Sequence, residues 1–277
     1  MSLSTISIAS LLSHRSGLLP WLPLYADICD GGDMLYSKVL RCIAKYGRGI
    51  VYQSTCAVSS HDGYPRVYSD LNFIVLGIIL HRVFNKPLDS LFDEYIVPHL
   101  ENTDISFHPT RMCSVHPARL VPTSSGLPSG TVNDDNSKLF GGVSGHAGLF
   151  SSIDALHNYC RWIVGVFLGR ASDISLKTAQ QFIDLTHTLG WDRPSKRTDL
   201  RPSSCGQYFD YSTSVGHLAF TGPSIWIDLK TESWIILCCN RTVYSPQTTP
   251  LKQLRPIIHN LLYSIVRAQP TRNNKDH

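Results

Sequence analysis

The spacing of apolar residues changes about three quarters of the way along this chain, and that change limits the fold more than any other feature. From Tyr68 onward, Leu71, Val75, Ile79 and Val83 recur at the spacing of one helix face, and the segment NKP ends the run. Beyond residue 210 the pattern turns to short β-rich runs, SVGHLAF, SIWIDL and SWIILCCN, divided by two or three turn residues. Runs of that kind predict an antiparallel meander. Leu254, Ile257, Leu261 and Ile265 then return to helical spacing and predict a C-terminal amphipathic helix. Helices followed by a small antiparallel sheet make this an α+β chain.

Between these landmarks the signals are weaker. LDSLFDEYIVPHL and LKTAQQFIDLTH read as helices, and Ser151 with Asp154 resembles a capping box for a helix carrying Leu156, Tyr159, Ile163 and Val166. Residues 31–65 read as irregular because DGGD, YGRG and HDGYP are turn signals. Residues 105–145 are loop-rich, and a loop of that length in a compact domain is usually functional or disordered. The tail 269–277 is expected to be disordered.

Composition narrows the function. The 277 residues are 43% apolar and 17% charged, as in a globular protein with a sizeable core. The net charge of +4 is scattered, which argues against nucleic acid as a partner. None of the eight cysteines forms a Cys-x-x-Cys pair and the histidines show no His-Glu-x-x-His, so reduced thiols, no metal and no cofactor are expected. No apolar run reaches the roughly 18 residues of a membrane span. The first residues lack a basic segment and a cleavage signal, so a cytoplasmic location is the default expectation.

Four stretches taken together, LLSHRSGL, YSDLNFIVLG, GTVNDDNSKLFGGVSGHAGLF and GHLAFTGPSIWID, resemble the serine β-lactamase and penicillin-binding-protein superfamily in its β-lactamase-related esterase branch. The resemblance runs over nearly the whole chain in the family's order. It implies a β-lactamase/transpeptidase-like fold and a site of three parts. A Ser-x-x-Lys supplies the nucleophile, a Tyr-x-Asn supplies a proton shuttle and a hydrogen-bonding side chain, and a Lys/His-x-Gly on an edge strand holds substrate. Carried onto this chain, Tyr68 is the shuttle and Asp70 stands at the Asn position, while His217 and Ala219 stand at the substrate-binding positions. Two of these depart from the pattern. Asp70 accepts hydrogen bonds but cannot donate them as an amide does, and Ala219 adds a methyl where glycine lets a ligand approach the strand.

The third departure is larger: no lysine in the chain has a serine three residues before it. Ser144 is no ready substitute, because His146 breaks the Gly-x-Ser-x-Gly pattern. The expectation is therefore a single incomplete domain over residues 1–268, mainly helix and loop over 1–210 and sheet plus helix over 211–268. Its N-terminal strands and nucleophile helix would be missing. Such a chain would be inactive as it stands, although its complete form would hydrolyse a β-lactam, a D-Ala-D-Ala peptide or a small ester. A non-catalytic binding or interaction protein is the alternative. Plainer readings stay open: Tyr68 to Asp70 can simply start a helix, His217 can be an ordinary strand histidine, and His146 can fix a loop. A sheet edge left bare at SWIILCCN would favour self-association.

Overall fold

The computed structural model describes residues 3–28, 34–48, 64–111, 119–171, 174–183, 188–196, 203–244 and 249–268. It divides into two compact units, Met1–Tyr159 with His187–Gly190, and Cys160–Thr186 with Trp191–His277.

The first unit is built on helices α1 (Ile8–Leu12), α2 (Leu24–Asp27), α3 (Leu35–Tyr46), α4 (Asp70–Phe84) and α5 (Leu88–Tyr95), with the short α6 (Asp135–Leu139) in the glycine-rich region. Strands β1 (Ile105–Ser106) and β2 (Phe150–Ser151) pair as a small antiparallel ribbon. The apolar stripe predicted for α4 holds at its N-terminal half only: Leu71 and Val75 are buried, Ile79 is half-buried and Val83 is 71% exposed. Leu71, Ile74, Val75 and Ile78 are buried against Leu11, Val39 and Ile43. Each such side chain contributes about 1.5–3 kcal/mol.

Helix α3 corrects the expectation of irregular structure across 31–65. Leu35, Val39 and Ile43 bury one face at four-residue spacing, and the turn signals that dominated the reading flank the helix rather than interrupt it. The remainder of that stretch, 31–33 and 49–63, lies outside the described residues, as does the tail expected at 269–277. Two boundaries also move. Helix α4 starts at Asp70, the last of the three residues expected to begin it, with Ser69 at the N-cap position. The hydroxyl that caps α7 (Ile153–Phe167) is that of Ser152, which accepts the Ala155 N–H, and not that of Ser151.

The second unit contains α8 (Leu176–Phe182), the strands β3 (Ser214–Leu218), β4 (Ser224–Asp228) and β5 (Ser233–Leu237), and α9 (Thr249–Ala268). The sheet order is β3-β4-β5, a meander with every pair antiparallel, as the short runs predict. Gly216 faces Trp226 across the β3–β4 ladder. A β-carbon at 216 would fall 2.4 Å from the indole ring, so only glycine lets the ring lie flat on the neighbouring strand. Trp226 then packs with Cys205, Phe209, Ile235 and Tyr263.

Helix α9 keeps the predicted period but faces the other way. Its buried residues are Arg255, His259 and Tyr263, while Leu254, Ile257, Leu261 and Ile265 are exposed. Polar partners on the sheet side decide this. Arg255 Nη2 donates to the Gly222 carbonyl, Ser224 Oγ lies 3.2 Å from His259 Nε2, and Tyr263 O–H donates to Asp228 Oδ2 at 2.9 Å.

Among the described residues no single helix is long and apolar enough to cross a membrane.

Candidate functional site

Tyr68 stands one residue before the Ser69 cap of α4, with 47% of its surface exposed. The backbone around it is held from below by the turn Ser13–Gly17. His14 is buried in that turn at φ 58, the left-handed region that costs a non-glycine residue about 1–2 kcal/mol. Its Nδ1 accepts the Ser69 N–H at 3.1 Å, so the imidazole proton belongs on Nε2. The Asn72 amide then fits in one orientation only. Its Nδ2 donates to the same His14 Nδ1 at 3.1 Å, and its Oδ1 accepts the Ser16 hydroxyl at 2.5 Å. Ser69 Oγ donates to the Leu19 carbonyl, and the Asp70 N–H donates to the Pro20 carbonyl. The Tyr68 ring lies 4.5 Å from the His14 ring, centre to centre. Asp70 occupies the first turn of α4, where the helix dipole favours a carboxylate.

This clasp is what the sequence reading missed. SHRSG and YSDLN were both visible as motifs, but not as partners. The available signal was Asn72, an amide in the buried arc of an otherwise apolar helix, because a buried amide requires partners.

The glycine-rich loop forms a second polar chain. Ser144 Oγ is 2.9 Å from His146 Nδ1, and His146 Nε2 is 2.8 Å from Asp134 Oδ1. Burial would raise the Asp134 carboxyl, but the hydrogen bond and charge of His146, with the Ser137 and Asn136 N–H groups, outweigh it and hold the carboxyl below its usual range. Hydroxyl, imidazole and carboxylate in a row have the outline of a nucleophilic triad. The surroundings argue against that chemistry. Ser144 is buried, and the cavity it lines is about 10 Å³, at the limit for a single water. His146 fixes the loop. Gly145 explains why the loop must keep its shape, since a β-carbon there would fall 2.2 Å from the Phe73 carbonyl oxygen of α4.

In the second unit, His217 is half-buried on β3, and its Nδ1–H donates to the Leu218 carbonyl at 2.9 Å. Ala219 is not on the strand as expected. It is exposed just past the end of β3, where its N–H bonds the Pro223 carbonyl and its carbonyl accepts the Gly222 N–H, so it opens the hairpin turn. The structure thus brings Tyr68 and Asp70 together at one helix end, and His217 and Ala219 together at the end of one strand.

Two of the described thiols are poorly placed as nucleophiles. Burial pushes Cys160 up to about 12 and Cys205 up to about 11. Among the described residues no cluster of His, Cys, Asp and Glu could hold a metal ion.

Comparison with known proteins agrees with the motifs. The chain is 27% identical to a protein of Escherichia coli (strain K12) described as a D-alanyl-D-alanine carboxypeptidase, and the match covers 90% of this chain and 60% of the relative. It is 26% identical to an N-acetylmuramyl-L-alanine amidase of Bacillus subtilis (strain 168), over 88% of this chain and 59% of the relative. The chain therefore spans about 60% of the length of the curated relatives it matches. Among solved structures, simvastatin synthase of Aspergillus terreus superposes with a TM-score of 0.60 at 15% identity, over 95% of this chain and 70% of that one. The D-amino acid amidase of Ochrobactrum anthropi superposes with a TM-score of 0.57 at 15% identity, over 95% and 72%. These likenesses place the fold with the β-lactamase/transpeptidase-like proteins. The Beta-lactamase family model matches residues 3–255, and the chain belongs to that family.

Proposed function

We propose that this chain is part of a β-lactamase-related serine hydrolase that opens an ester or amide through an acyl-enzyme. The substrate class is a β-lactam, a D-Ala-D-Ala peptide or a small ester. The observation that supports this best is the exposed Tyr68 on a rigidly clasped backbone, in a family whose curated relatives include a carboxypeptidase and an amidase. In this reading Tyr68 moves the proton between the attacking hydroxyl and the leaving group. Asp70 accepts a hydrogen bond beside it, and His217 with the Ala219 backbone lines the substrate.

The nucleophile of that reaction is a Ser-x-x-Lys, and none occurs in the 277 residues. The chain alone should therefore bind without being acylated, and the chemistry requires a serine from another polypeptide segment. The same absence, with Asp70 and Ala219 in place of the family's residues, favours a second reading, a binding protein without catalysis.

Intact mass before and after treatment with a fluorophosphonate or a β-lactam separates the two. The native protein from its source cells should gain one probe mass, and the 277-residue chain alone should gain none. If the native protein has this chain's mass and gains nothing, the hydrolase reading fails and the binding reading stands. If this chain itself is acylated, the account of the missing nucleophile is wrong.

A further inference from the structure

Three groups of one buried residue, His14, meet three consecutive residues around Tyr68. The His14 carbonyl accepts the Val67 N–H at 2.9 Å, and its Nδ1 accepts the Ser69 N–H at 3.1 Å. Its ring lies 4.5 Å from the ring of Tyr68, the residue between those two. Residue 14 therefore holds the backbone on both sides of the tyrosine and one face of the tyrosine itself. The next residue adds to the hold, since the Arg15 carbonyl accepts the Tyr64 N–H at 3.2 Å.

Few side chains meet the demands of this position. Its backbone has φ 58, where histidine, asparagine and aspartate are enriched among non-glycine residues. The side chain must accept, and it accepts twice, because Asn72 Nδ2 also donates to His14 Nδ1 at 3.1 Å. It must also present an aromatic face. Tyr68 at 4.5 Å and Phe73 at 5.3 Å both pack on the imidazole, at separations typical of favourable ring pairs. Asparagine satisfies the backbone and the acceptor but has no ring. Phenylalanine has the ring but no acceptor. Histidine supplies all three, and the two donors on Nδ1 fix which tautomer it takes and how its ring is turned.

We propose that His14 is the positioning residue for Tyr68, whose Nε2-protonated imidazole holds the phenol in one orientation for proton transfer. The inference rests on the part proposed above for Tyr68 in the reaction. His14 is only 4% exposed, so it acts through the tyrosine and not on substrate. Tyr68, at 47% exposure, would otherwise be free to turn about its side-chain bonds. The stack on a locked ring removes that freedom before substrate arrives. Such preorganisation matters because displacing a reacting group by about 1 Å can slow a reaction about 100-fold. Asn72 and Ser16 stand behind the imidazole as the layer that keeps it in place.

NMR of the 277-residue chain with labelled tyrosine and histidine rings tests this, the Tyr68 signals being those that Tyr68→Phe removes. In the wild type the His14 imidazole should carry its proton on Nε2, and the Tyr68 and His14 ring protons should show a mutual Overhauser effect. His14→Asn keeps an acceptor near the place of Nδ1 and tolerates the left-handed backbone, so the Ser69 amide should stay protected from hydrogen exchange. The Tyr68 signals should nevertheless narrow and move to those of free tyrosine, a change that a purely structural role for His14 does not produce. If His14→Asn fails to fold, the wild-type tautomer and ring contact decide the matter. In native protein that takes up a fluorophosphonate, His14→Asn should slow the uptake about 100-fold. Native protein that takes up none sinks the hydrolase reading, and the NMR still decides the positioning. A proton on Nδ1, no contact between the two rings, Tyr68 signals unmoved by His14→Asn, or uptake at the wild-type rate overturns the proposal.

Discussion

Truncating Asn72 to alanine tests the clasp beneath Tyr68 most directly. The Asn72 side chain is fully buried and makes two hydrogen bonds, one from Nδ2 to His14 and one from the Ser16 hydroxyl to Oδ1. Alanine removes both. His14 Nδ1 keeps the Ser69 N–H, and Ser16 Oγ keeps the Leu18 N–H as a donor to it. The group left orphaned is therefore the Ser16 O–H. Two neutral bonds are worth about 1 kcal/mol each, and a buried unsatisfied donor adds about 1–3 kcal/mol, so the loss should be about 3–5 kcal/mol. Urea unfolding followed by circular dichroism measures it. Asn72→Asp is the informative companion. It keeps the acceptor for Ser16 but sets a carboxylate oxygen against the lone pair on His14 Nδ1, so at neutral pH it should be at least as damaging as alanine. A loss below about 1 kcal/mol for Asn72→Ala, or an aspartate variant as stable as wild type, would show that the assigned bonds do not hold the turn.

Two further measurements follow from the structure. Burial first, and then the nearby Arg255 charge, push His259 down to about 4 from 6.5. Between those values the unfolded chain binds a proton that the folded chain does not. Stability is thus complete above about pH 6.5, declines as the pH falls, and has lost roughly 2–3 kcal/mol by pH 4; urea unfolding at pH 7.5 and 4.5 should show this drop, and His259→Gln should flatten it. Two glycines should respond in opposite directions to alanine. Gly145→Ala drives a β-carbon into the Phe73 carbonyl and should cost about 1–3 kcal/mol, whereas Gly165, inside α7 with nothing within 4 Å of the new methyl, should gain about 0.5–1 kcal/mol. Equal responses in one thermal melt series would refute the packing assigned to the loop.

Much of the architecture is written in local periodicity. The existence of helix α4, the three-strand meander and the helical period of α9 follow from spacing alone, because 3.6- and 2-residue repeats are properties of the backbone; that Val83, at the same period as Leu71 and Val75, ends up exposed does not. The four motifs likewise carry the family. Helix α3 was hidden because its flanking glycine turns outweighed a stripe of only three buried residues, Leu35, Val39 and Ile43. The clasp was hidden for a different reason. His14 and Asn72 are 58 positions apart, and nothing in either segment announces the other.

The amino-acid sequence by itself determined that residues 249–268 form a helix with one apolar and one polar side. Tertiary structure alone decided which side faces in. The sheet offers the Gly222 carbonyl and the Ser224 hydroxyl, with the Asp228 carboxylate beyond them, and a helix presenting Arg255, His259 and Tyr263 satisfies them. An apolar face there would take away the Arg255 and Tyr263 donors, leaving the Gly222 carbonyl with the Cys239 thiol alone and Asp228 with donors on one oxygen only, a cost of about 1–3 kcal/mol for each lost partner. The polar side therefore goes inward, and Leu254, Ile257, Leu261 and Ile265 are left outside.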